Sequence, residues 1–161
     1  MKGRWLLGPL FLGMIWVLPA RAVMIRYNLE QLSTGAEKIV VGRVVDMESR
    51  YLVPGQEINT FVTIAVDEVL KGEAVGNEVI VRVLGGSVGD EEMVASHAPS
   101  FMIAEEVLVF VARQVDGQDE VYNAENGKYT IEGGIVVEEN VPLENFVLAI
   151  RAYLGGSRLP R

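Results

Sequence analysis

From Asn28 onward the hydrophobic positions change period several times, and each change predicts an element. Asn28 is a good N-cap, Leu29 and Leu32 share one side, and Gly35 can close the turn, which predicts a short helix over Leu29 to Gly35. Lys38 to Val45 predicts a strand. Its run Ile39, Val40, Val41 does not alternate, so both faces are expected to be covered, and Gly42 marks a bend or a close backbone approach. After a polar link containing Pro54-Gly55, Ile58 to Leu70 alternates plainly. Ile58, Thr60, Val62, Ile64 and Val66 lie on one face, with Asn59, Thr63 and Asp67 on the other. Glu78 to Leu84 predicts a third strand with Val79, Val81 and Val83 together, ended by Gly85-Gly86.

Residues 85 to 104 read as a glycine-containing polar connection with room for one short strand near Met93 to Ala95. Glu106 to Ala112 is again continuously apolar and expected to be buried on both faces. Val121 to Ala124 and Tyr129 to Ile131 flank Asn126-Gly127, the favoured pair of a two-residue type I′ turn, which predicts a hairpin with Glu125 opposite Lys128. The period then becomes helical. Leu143, Phe146, Val147, Ile150 and Leu154 form one stripe behind Pro142, predicting an amphipathic helix over 142–154. Doubly apolar strands need cover on both sides. The expected fold is therefore mostly β: a small OB-like β-barrel with a short N-terminal helix and a C-terminal amphipathic helix, with a β-sandwich as the alternative.

Ahead of these elements stands a segment of another kind. Lys2 and Arg4 precede the apolar stretch Leu6 to Leu18, and Ala20-Arg21-Ala22 fits a small-x-small cleavage site, so residues 1–22 read as a signal peptide cut after Ala22. The stretch is interrupted by Gly8, Pro9 and Gly13 and is shorter than a bilayer-spanning helix requires, so no stable membrane anchor is expected after cleavage. The remainder, 23–161, is of a size for a single domain. The destination is the periplasm or the extracellular space. No cysteine occurs, so no disulfide staples the fold. The formal charge of the 161-residue chain is −8, and loss of Lys2, Arg4 and Arg21 would make it more acidic, which argues against nucleic acid as a partner.

The order of motifs adds a resemblance. Leu29-x-x-Leu32, Ala36-Glu37-Lys38-Ile39-Val40-Val41-Gly42-Arg43-Val44, Thr60, Val69-Leu70-Lys71-Gly72, Gly85-Gly86 and Gly89 appear in sequence, followed by Pro99-x-Phe101, Glu105-Glu106-Val107-Leu108-Val109-Phe110 and Gly127-Lys128-Tyr129. This series resembles a loosely defined family of exported bacterial domains. Members look like OB-type barrels related in fold to netrin-like modules and to the tissue inhibitors of metalloproteinases. The resemblance implies a barrel and export and brings no activity with it. The chain departs from the family pattern at Ala104, where glycine is usual, and at Ser96-His97-Ala98, which replaces a glycine-containing turn. The animal inhibitors act through an N-terminal cysteine on zinc, and this chain has none.

Candidate chemistry concentrates between residues 85 and 101. Gly85-Gly86-Ser87-Val88-Gly89 satisfies Gly-x-Ser-x-Gly, and Asp90 and His97 follow in hydrolase order, but a nucleophile elbow needs a strand-turn-helix setting that the surrounding pattern does not predict. His97 is the sole histidine, so a zinc site lacks its usual spacing. Asp90, Glu91 and Glu92 offer oxygen ligands for calcium without the alternation of a calcium loop. The expected function is an exported non-catalytic binding module, without cofactor or metal, that engages a protein partner, in its most specific form a secreted protease. Ser87, Asp90, Glu91, Glu92, His97 and Phe101 are the expected binding residues. The alternative is a secreted hydrolase using Ser87 or a calcium-dependent enzyme using Asp90 to Glu92.

Overall fold

The computed structural model describes residues 28–53, 55–74 and 76–155. The apolar segment 1–22 and its cleavage site lie outside the described residues, as does the tail from residue 156. Two helices, α1 (Leu29–Gly35) and α2 (Leu143–Leu154), bracket ten strands. These are β1 (Lys38–Val53), β2 (Glu57–Lys71), β3 (Glu78–Leu84), β4 (Gly86–Val88), β5 (Glu91–Met93), β6 (Glu106–Arg113), β7 (Asp119–Val121), β8 (Lys128–Glu132), β9 (Ile135–Val136) and β10 (Val141–Pro142). The molecule is mostly β with two short helices, as the hydrophobic pattern predicts.

Hydrogen-bonded pairing closes a ring of five strands in the order β1-β2-β3-β7-β6, with β6 returning to β1. All of these pairs are antiparallel except β3 with β7. A single sheet closed on itself sets aside the two-sheet sandwich. Closure depends on β1, which pairs with β2 along most of its length and with β6 from Lys38 to Arg43. Four register irregularities against β2 give β1 the curvature to serve both neighbours. At one of them Gly42 lies so close to the Ala65 carbonyl that a Cβ would collide with it, so glycine is required there for approach. The second edge of β6 is shared. Its C-terminal part takes β7 and its N-terminal part takes β8, from which β9 and β10 continue away from the ring.

Two apolar cores result, one on each face of the doubly apolar strands. Inside the ring Val40 and Val44 meet Val62, Ile64, Val81, Val107 and Val109. On the outside, Ile39, Val41, Leu108 and Phe110 pack against Leu32 of α1 and Phe146, Val147 and Ile150 of α2. Tyr129 ties the layers together, edge-on to Phe110 with centroids 6.0 Å apart and 4.9 Å from Phe146. The stripe on α2 thus covers the ring. Helix α1 is held at both ends. Asn28 and Gln31 form a reciprocal capping box, and Lys71 Nζ donates to the carbonyls of Ser33, Thr34 and Ala36.

Four local expectations are corrected. β1 runs on to Val53, eight residues beyond the expected end at Val45, because Met47, Ser49 and Tyr51 keep pairing with β2. The short strand near Met93 begins at Glu91 and has a partner, β4. Helix α2 starts at Leu143, with Pro142 as its N-cap. The Asn126-Gly127 hairpin does not form. Ala124–Gly127 is a 3₁₀ turn, β7 and β8 pair with β6 and not with each other, and the left-handed residues are Asn123 and Ala124. Gly127 is needed for a different reason, since a Cβ there would overlap the Tyr122 carbonyl oxygen. Lys128 accordingly meets Glu105, and Glu125 meets His97.

Candidate functional site

The connection from Gly85 to Glu105 crosses one end of the ring and is pinned along its length. Gly85 N–H donates to Ile58 O at 2.8 Å, and Thr60 Oγ1 donates to Gly85 O at 2.7 Å, with Ser49 Oγ 2.8 Å from the same hydroxyl. Gly86, at φ +131°, presses on Ser49 and Thr60 so closely that any side chain would clash, and a Cβ on Gly85, at φ +103°, would meet the Met93 carbonyl oxygen. The hairpin β4–β5 then turns at Gly89-Asp90. Its return strand is tied down by Tyr51, whose hydroxyl donates to Glu91 at 2.6 Å, and by Ile58 N–H, 3.4 Å from the Met93 sulfur. The hydrogen bond to Glu91, a little burial and that carboxylate's charge raise the Tyr51 phenol above its ordinary value.

Beyond the hairpin the chain leaves the sheet and re-enters it at β6. His97, at φ +63°, accepts Glu125 N–H on its carbonyl at 3.2 Å and places its ring Nδ1 3.1 Å from the Glu125 carboxylate. Phe101 turns inward and is buried in the ring core. The following turn is locked by Glu105, a nearly buried carboxylate that pairs with Lys128 and accepts from Thr130 Oγ1 and Met102 N–H, both at 3.0 Å. The backbone also joins β1 here, Ala104 N–H to Val44 O at 2.8 Å and Val44 N–H to Glu105 O at 2.9 Å.

The expected binding residues divide into two groups. Ser87, Asp90, Glu91 and Glu92 are exposed together on the hairpin, with His97 exposed farther along the connection. Phe101 is a core plug. Ser87 sits mid-strand in β4, outside the strand-turn-helix surroundings of an elbow, and no hydrogen bond joins it to Asp90 or His97 among the described residues. Among the described residues no three of His, Asp and Glu converge as metal ligands.

Two clefts flank the segment 95–99. One, of about 270 Å³, is walled by Met47, Val62, Val83, Met93, Ala98 and Phe101, with Glu92 at its rim. The other, of about 370 Å³, is polar, with Arg82, His97, Gln114, Glu120 and Asn123. Arg82 there is already held by Glu120 and Asp116. Reading along the chain misses the walls of the apolar cleft, because Met47 and Val83 reach it only through the length and register of β1 and β3. The single signal in the sequence is the continued alternation Met47, Ser49, Tyr51.

The class defined by these features is a small β-ring domain with a pinned, acidic hairpin beside an apolar cleft. No protein-family model matches the chain, and no curated protein matches it.

Proposed function

We propose that the chain is an exported, non-catalytic binding module whose 85–101 connection engages a protein partner. One observation carries this reading: the connection is held by the ring through hydrogen bonds yet leaves Val94 85% exposed beside an apolar cleft and the exposed carboxylates of Asp90 and Glu92. Binding residues favour loops presented by a rigid scaffold, and a fixed loop loses little entropy on association. Export rests on the N-terminal pattern, and with it the absence of nucleic-acid partners and of a lasting membrane anchor. A secreted protease is the partner class suggested by the resemblance to inhibitor-like OB domains.

A photoreactive residue in place of Val94 tests the proposal directly in the producing cells. It should form a discrete adduct with another protein, whereas the same residue at Val115, fully exposed on the turn between β6 and β7, should not. Equal labelling from both positions, or none from Val94, overturns the reading.

A further inference from the structure

We infer that the occupant of the cleft beside β5 is an extended polypeptide segment carrying one apolar side chain flanked by lysine or arginine. The inference rests on the binding reading above and assigns its chemistry. The cleft's walls are aliphatic, thioether and aromatic, and its volume of about 270 Å³ suits one or two aliphatic side chains, not a folded surface. Met47 of β1 and Met93 of β5 give it walls that adapt to several side-chain shapes.

Charge selects the flanks. Residues 85–101 contain three carboxylates and no lysine or arginine. Glu91 is engaged by Tyr51, while Asp90 and Glu92 make no ion pair or side-chain hydrogen bond among the described residues. Glu92 lines the cleft, and no cationic side chain does. Elsewhere the carboxylates of Glu105, Asp116, Asp119 and Glu120 are all matched to Lys or Arg. Glu30, Glu48 and Glu73 are likewise exposed without an ion pair, but Glu92 lines an apolar cleft and Asp90 shares its hairpin, so the rim there is negative. A cationic segment gains steering and rim contacts there. A second copy of this chain meets the opposite condition, since it brings formal charge −8 and the same acidic rim.

The probe is a library of short random peptides panned on the mature protein, with binding located by methyl NMR shifts at Met47, Val83 and Met93. Enriched peptides should pair Leu, Met, Ile or Phe with Lys or Arg and shift these methyls. Their affinity should fall about three- to tenfold in the double variant Asp90→Asn, Glu92→Gln, and fall again with added salt, as two rim charge contacts warrant. Because both residues are exposed, that variant should melt like the parent. Peptides of acidic or neutral composition that shift the same methyls overturn the charge assignment and leave the binding reading standing. Shifts of these methyls that grow with protein concentration alone identify a second copy as occupant and overturn the inference. If no peptide moves the methyls the inference also falls, and the Val94 adducts then decide separately whether the binding reading survives.

Discussion

On the flank of the ring, α1 and α2 lay Leu32, Phe146 and Ile150 against the outer faces of β1 and β6, each at most 7% exposed. At the end crossed by residues 85–105, Val94, Met102 and Ile103 are all more than half exposed. The backbones differ in the same sense. Helix α1 carries a capping box and a lysine on its terminal carbonyls, whereas the connection holds His97 and Ala104 at φ +63° and +67°, a left-handed conformation that costs L-residues about 1–2 kcal/mol each. One region buries its core-facing side chains almost fully, and of the large apolar side chains on its two helices only Leu148, on the outer face of α2, is exposed. The other retains strain and uncovered apolar surface, a combination that tends to mark sites of recognition. Changes to the buried residues of the flank should therefore lower stability, while changes at the exposed or strained positions of the ring end should leave it alone or raise it.

The largest effect is expected on the flank. Phe146 is buried against Tyr129, and Phe146→Ala should destabilise the domain by about 3 kcal/mol in urea denaturation, a usual cost for truncating a buried aromatic side chain. Truncation after Asn140 removes Phe146, Val147 and Ile150 together and should abolish cooperative unfolding. A soluble truncated protein with an unaltered transition would break the contrast, since the helix would then belong to recognition.

Between the two regions lies the seam at β7, only three residues long, which closes the ring. Asp119 there meets Lys38 of β1 and Arg113 of β6, while Arg82 of β3 meets Glu120 and Asp116. Burial opposes ionisation of Asp119, but hydrogen bonds from Arg113 and Lys38, with their charge, outweigh it and hold the carboxyl below its ordinary value. A carboxyl depressed in the folded state contributes stability that is present above its unfolded value, about 3.9, and is lost as pH falls through the folded value. Melting temperature should therefore drop as pH is lowered below about 4, with the drop shallower in Asp119→Asn. An acid limb as steep in the variant as in the parent would move the seam elsewhere.

Much of the flank is legible in the sequence because its signal is local. Ile39-Val40-Val41 and Val107 to Val111 have no polar face to turn outward, so two covers are required, and both cores are found where that demands. The stripe on α2 is equally direct. The turn at Asn126-Gly127 misleads because local turn preference competes with a tertiary demand: Gly127 is fixed by its approach to the Tyr122 carbonyl, and the left-handed residues move to Asn123 and Ala124. The ring end is partly legible. Its exposed acids follow from polarity, but whether Phe101 faces solvent or core depends on how the connection crosses the ring, and the cleft depends on a strand register that no local pattern reveals. In this connection a left-handed backbone and a non-glycine residue coincide at two positions, His97 and Ala104.

That coincidence yields the smallest and most discriminating test. Ala104 is exposed and sits at φ +67°, with its N–H bonded to Val44 O, so its methyl group gains little from packing while its backbone bears the left-handed penalty. Ala104→Gly relieves about 1–2 kcal/mol of that strain and adds about 0.5–1 kcal/mol of unfolded-state entropy to be lost, so the variant should be more stable by about 0.5–1 kcal/mol. The same substitution at Ala149, in the middle of α2, meets no strain and should cost about 1 kcal/mol through helix propensity alone. Opposite shifts of the two urea midpoints, at unchanged slope, locate the stored strain at the ring end. If both variants lose stability, Ala104 is relaxed in solution and the contrast in backbone strain between the two regions fails at that position.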